Sequence, residues 1–176
     1  KRNALTPAID YLIMLPMAIS GTVLGIGLVV TFNTGWLAMT GTAAIIVVAY
    51  VVRRLPFGVR NASSTLYNIP NSIEEASISL GVPPLASFCK VILPLMAPAI
   101  GAAAVLTWTT TVSELSASVV VYSAGRETTP IQIFRLIDTG LNGRASAYGL
   151  ALVVMILVPI FIAVKIFKIE LFAAKG

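Results

Sequence analysis

The sequence predicts an all-α fold, a polytopic bundle of helices that lies in a lipid bilayer. Three observations lead there. First, 57% of the 176 residues are hydrophobic and only 11% are charged, where a soluble domain of this size carries about 25% charged residues. The mean hydropathy is +0.94. Such a chain has too little polar surface to cover itself in water, and the bilayer is the solvent that suits it. Second, the apolar residues gather into four long runs. Third, the basic residues divide unequally between the loops that join those runs.

The first run, residues 11–32, contains no charge. Twenty-two helical residues reach about 33 Å, enough for a hydrocarbon core of about 30 Å. Asn33-Thr34-Gly35 then supplies a tight turn. The second run, 36–52, is short for a span. The third, 95–122, is long and holds one charge, Glu114. The fourth covers 145–167. Between the second and third lies a polar loop, 53–94, and between the third and fourth a mixed stretch, 123–144.

Orientation follows from the lysines and arginines. If the 53–94 loop is cytoplasmic, four spans bring both termini to the same side. That side collects Lys1, Arg2, Arg53, Arg54, Arg60, Lys90, Lys165, Lys168 and Lys175, against Arg126, Arg135 and Arg144 on the other. Nine against three obeys the positive-inside bias. The net charge of +5 is therefore read as membrane orientation; the basic residues are too scattered for a nucleic-acid surface. Tyr11, Trp36 and Tyr122 fall near span ends, where aromatic anchors belong. Lys1-Arg2 followed by an apolar run looks like the start of a signal peptide, but the run is too long and lacks an early small-residue cleavage site. The missing initiator Met points to a fragment of a longer protein.

Small residues recur in two runs. Gly21 and Gly25 are spaced as GxxxG, and 97–104 is rich in Ala and Gly. In lipid, small residues let helix backbones approach closely. That spacing fits either a movable helix interface or ordinary close packing. Pro16 and Pro98 free backbone carbonyls and are candidate kinks. Trp108, inside the third run, reads as core.

The 53–94 loop is the informative part. Asn71 or Ser72 is placed to cap a short helix, and Glu74 and Glu75 fall in its first turn, where the helix dipole favours negative charge. Ile73, Ala76 and Leu80 recur at i, i+3 and i+7 as one apolar face, and Gly81 ends the helix as its C′ residue. Pro83-Pro84 break the chain, and Ser87 is placed to cap a second helix running into the membrane. A short amphipathic helix in a cytoplasmic loop is well placed to dock into another protein's groove.

These residues resemble the signature of binding-protein-dependent ABC importer permeases, the MetI-like family: Glu-Ala-Ala, three residues, Gly, nine residues, Ile, one residue, Leu-Pro. This chain has Glu75-Ala76-Ser77, Gly81, Val91 and Leu93-Pro94 at that spacing, with Ser for Ala and Val for Ile as the departures. Leu15-Pro16, Ser20-Gly21, Thr40-Gly41-Thr42, Arg53-Arg54-Leu55-Pro56, Ser113 to Ser118 and Thr129-Pro130-Ile131 through Gly140 extend the resemblance over nearly the whole chain, most closely to the C-terminal half of ferric-iron permeases. The resemblance implies one multi-pass permease domain over 1–176 in the inner membrane, with part of the permease before Lys1. It implies that the short helix is a coupling helix, with Glu74, Glu75, Ala76, Ser77, Leu80 and Gly81 at the contact. The implied partners are an ATP-binding cassette ATPase that holds the ATP and Mg, a periplasmic or lipoprotein substrate-binding protein, a second permease half, fused or separate, and membrane lipid. Ferric iron is the implied cargo, with phosphonate, thiamine or polyamine as alternatives.

Glu114 has two readings: a pathway residue together with Ser116 and Ser118, or a structural acceptor for neighbours such as Ser116 or Thr110, with the membrane surface as another placement. An ionisable group at membrane depth is costly and tends to face water or a partner. No catalytic constellation is present. Histidine is absent and Cys89 is the single cysteine, which excludes an internal disulfide, zinc-finger and iron–sulfur ligand sets. There is no Gly-Lys-Ser/Thr phosphate loop, so the chain is expected to bind no ATP, cofactor or metal and to be no enzyme. The competing classes are an ATP-independent channel or secondary transporter, which has no reason to carry the Glu75–Gly81 helix, and a membrane hydrolase, which needs more than one polar catalytic group at depth.

Overall fold

The computed structural model describes residues 5–167. Lys1, Arg2, Lys168 and Lys175, four of the residues used for orientation, lie outside them. The described residues are helical and contain no strand. The elements are α1 (Leu5–Ala18), α2 (Gly21–Thr31), α3 (Ala43–Tyr67), α4 (Asn71–Ser79), α5 (Pro84–Ser87), a π-helical turn (Phe88–Ile92), α6 (Leu93–Val112), α7 (Ser118–Val121), α8 (Thr129–Asp138) and α9 (Asn142–Phe167).

The expected continuous run 11–32 is divided. α1 and α2 meet at 107° across Ile19-Ser20. Pro16 lies inside α1, and the break falls three residues later. Ser20 adopts an extended backbone and its hydroxyl accepts the Val23 N–H at 3.3 Å, capping a new helix. The expected run 36–52 is also shifted: α3 starts at Ala43 and continues through Arg53, Arg54 and Arg60 to Tyr67. The third run ends early, because the helix stops at Val112 and resumes only for the short α7. Among the described residues, two continuous helices are long and apolar enough to cross a bilayer by themselves, Pro84–Val112 and Asn142–Lys165. The bent α1–α2 pair makes a third if it counts as one span.

The chain forms two compact units. The first comprises residues up to Pro56 together with Trp108–Ile156. Its core is Ile45, Ile46 and Ala49 of α3 against Ala117 and Val121, with Leu28, Val29 and Phe32 packed around them. α2 lies directly on α7. A methyl group on Gly21 would sit 2.8 Å from Ser116 Cβ and 3.0 Å from the Ala117 nitrogen; one on Gly25 would sit 3.0 Å from Val120 Cβ. The GxxxG spacing is thus close helix packing against 116–120. Trp108 is not core: it is partly exposed, and its indole N–H donates to the Met155 carbonyl at 3.0 Å. That carbonyl is one turn before Pro159, which has no N–H to offer it, so the indole replaces the missing helical bond.

The second unit comprises Phe57–Thr107 and residues from Leu157 onward. In it α4, α5 and the π-helical turn pack together. Ser87 does not cap the second helix as expected. Pro83 occupies the cap position, Pro84 starts α5, and Ser87 is the last residue of α5, its hydroxyl buried without a hydrogen-bond partner.

Candidate functional site

The segment expected at the contact forms a discrete helix, α4, because both its ends are fixed by the chain. At the N-terminus Pro70, not Asn71 or Ser72, takes the cap position in an extended conformation, with no side-chain cap bond. Proline cannot continue a helix backwards, so the chain must turn there. At the C-terminus Gly81 has φ +84°. The Gly81 N–H donates to the Ile78 carbonyl at 2.9 Å and the Val82 N–H to the Ser77 carbonyl at 3.3 Å. This pair of bonds is the Schellman arrangement, which requires a left-handed residue at C′.

The helix turns one side inward. Ser77 is buried and Ile73 half-buried, while Glu74 lines a cavity of about 470 Å³ with Leu66, Tyr67 and Ile92. Glu75, Ala76, Ser79 and Leu80 form the outer side, and Leu80 is 86% exposed. Of the apolar set Ile73, Ala76 and Leu80, only Ile73 packs inward. Of the six expected contact residues, Glu74, Glu75, Ala76, Leu80 and Gly81 are exposed, Glu74 beside the cavity, and Ser77 is buried.

Glu114 sits in the break after α6, buried to 7% exposure. Its Oε2 accepts from Arg53 Nε and Arg54 Nη2, both at 2.9 Å. Its Oε1 accepts the Ala117 N–H at 3.4 Å. The carboxylate thus joins two arginines of α3, and Ser116 is exposed beside it. Arg54 is held further by the Thr110 carbonyl at 2.6 Å and the Thr111 hydroxyl at 3.3 Å. Ser118 is fully buried; it donates to the Glu114 carbonyl at 2.8 Å, and its hydroxyl lies 2.6 Å from that of Tyr50. Ser116 alone of the three expected pathway residues is exposed.

Sequence reasoning missed the arginine–glutamate cluster because Arg53 and Arg54 were assigned to a span's cytoplasmic end. A usable signal existed: the lone carboxylate of one apolar run and the arginine pair bordering another each need a counter-charge. Among the described residues no group of three or more His, Cys, Asp or Glu side chains is placed to hold a metal ion.

The family model for the inner membrane component of binding-protein-dependent transport systems matches residues 1–169. The ferric transport system permease protein FbpB of Actinobacillus pleuropneumoniae is 33% identical over 149 residues, covering 85% of this chain and 22% of that protein. PhnV of Salmonella paratyphi A, which bears the name of a 2-aminoethylphosphonate transport system permease, is 36% identical over 143 residues, 81% of this chain and 54% of its own. The sulfate transport system permease protein CysT of Escherichia coli is 34% identical over 141 residues, 72% of this chain and 50% of its own. The chain thus spans about a fifth of the first relative and about half of the other two. With nearly its whole length matched by the family model and its helices apolar enough for a bilayer, this chain belongs to the family of inner membrane components of binding-protein-dependent transport systems.

Proposed function

We propose that this chain is part of the permease of an ABC importer, and that the outer side of α4 is its docking contact with a separate ATP-hydrolysing subunit. The observation that carries this reading is the outward face of Glu75, Ala76 and Leu80, exposed on a helix whose end is fixed by Gly81. A rigid helix with an uncovered apolar edge suits insertion into a groove on another protein. An ATP-independent channel would leave this face without a use. ATP and Mg²⁺ belong to the partner, a binding protein delivers the cargo, and a second permease half completes the pathway. In this reading the 53–94 segment, with Arg60 and Lys90 on it, faces the cytoplasm.

Ferric iron is the first cargo to test, with 2-aminoethylphosphonate and sulfate as the others that relatives name. Glu114 is committed to two arginines and Ser118 to Tyr50, so in this reading those two hold the wall in place and Ser116 faces the passage. For the docking claim, Ala76→Cys and Leu80→Cys are placed in a Cys89→Ser background of the full permease, with Gly125→Cys as the control. A thiol-directed photo-cross-linker should join the ATPase subunit to the first two and not to the third. Equal labelling of all three, or none at Ala76 and Leu80, removes the reading.

A further inference from the structure

We propose that α8 is an interfacial helix: its C-terminal half rests on the lipid at the membrane–water boundary and is covered by bilayer, not by water or by another protein. The helix has an apolar face that runs out of protein. At its N-terminal end Pro130 and Ile131 are buried, Ile131 to 1% exposure. One turn and two turns further on, Phe134 and Ile137 continue that side at 52% and 57% exposure, and Leu141 extends the stripe beyond the helix end. The same short helix carries Arg135 and Thr139 exposed on its other side, with Arg135 donating to Glu127 at 2.6 Å. A helix with one bare apolar edge and a charged opposite side is the form that lies in an interface plane.

What covers the edge is indicated by where it leads. The Gly140 N–H donates to the Ile137 carbonyl at 3.0 Å and the Leu141 N–H to the Leu136 carbonyl at 2.8 Å, with Gly140 at φ +76°. This closes α8 in a fixed turn. The Leu141 carbonyl then accepts the Ala145 N–H at 3.0 Å, so the residue that ends the apolar stripe also begins α9, a helix apolar and long enough to cross the bilayer. The elbow has no slack, and Phe134 and Ile137 are tied within two turns of the first residue of a span. The opening turns of α9 have the composition of an interface: Arg144 is exposed, Tyr148 follows one turn on, and Leu150 is exposed beyond it. Basic and aromatic side chains at a span end occupy the headgroup level. The bare edge of α8 is thus continuous with the lipid-facing surface of α9.

The test uses the full permease in phosphatidylethanolamine–phosphatidylglycerol liposomes, without binding protein. Phe134→Cys, Ile137→Cys and Thr139→Cys, each in Cys89→Ser, carry a nitroxide, and collision rates with oxygen and with a water-soluble nickel chelate are compared; Thr139 is exposed on the other side of the helix end. Oxygen concentrates in the bilayer and the chelate in water. The ratio of oxygen to nickel collisions should be several-fold higher at 134 and 137 than at 139. Equal ratios at the three sites overturn the proposal in favour of water. Low collision rates with both reagents at 134 and 137 overturn it in favour of a protein cover. Because 134 and 137 are both exposed, a failure to insert at one leaves the other to decide.

Discussion

Glycine is used for opposite reasons in two regions of this molecule, and the contrast separates close packing from an open surface turn. At Gly21 and Gly25 the backbone is ordinary helix and the space is gone: a methyl group would meet Arg53, Ser116, Ala117 and Val120. At Gly81 the space is open, with nothing within 4 Å of a Cβ, and the backbone is left-handed. The first region is a closed knot, in which α2 presses on 116–120 and the Glu114 carboxylate joins two arginines of α3. The second is a surface turn that holds a helix outward.

The largest expected effect lies in the knot. Glu114→Gln removes the negative charge between two guanidiniums and leaves them facing each other. Breaking a buried pair costs about 3 kcal/mol at the low end, and the low end applies because the arginine side chains keep 24% and 23% of their exposure. Detergent-solubilised Glu114→Gln should lose thermal stability and expression level. Wild-type stability with lost uptake would instead make Glu114 a transport residue. A smaller effect is expected at Gly21→Ala, about 1–3 kcal/mol for overpacking, since the Ala117 nitrogen is backbone and cannot step aside. Gly27→Ala is the matched control: it lies on the same helix with nothing within 4 Å of its Cβ, and should be neutral or slightly stabilising. Thermal melts of the pair check this, and equal losses would mean that the α2–α7 approach is not tight.

The same contrast explains what was legible in the sequence. The extent of α4 was readable, though not its cap or its inward side, because its signals are local: Glu74 in the first turn, a glycine at C′, prolines on both sides. The all-helical membrane class was readable from composition. The helix ends inside the apolar runs were not. The break at Ile19-Ser20 depends on a serine cap that competes with an apolar stretch on both sides. The extension of α3 past Arg53 and Arg54 depends on a carboxylate 61 and 60 residues away, and a hydropathy pattern ends a span at such charges because it cannot see their partner. The exposed Trp108 belongs to the same class, since its indole bond depends on Pro159, far along the chain.

The central claim is that α4, held by the left-handed turn at Gly81, passes the ATPase's motion to the membrane helices. Its most direct test is Gly81→Val in the reconstituted full transporter, with ATP hydrolysis and cargo uptake measured together. A β-branched residue in the left-handed region costs about 1–2 kcal/mol, which is relieved if the turn opens and α4 changes its direction. The account predicts a permease that still inserts at normal levels while uptake is lost, with ATP hydrolysis either uncoupled or no longer stimulated. Normal uptake at normal hydrolysis in Gly81→Val would contradict it.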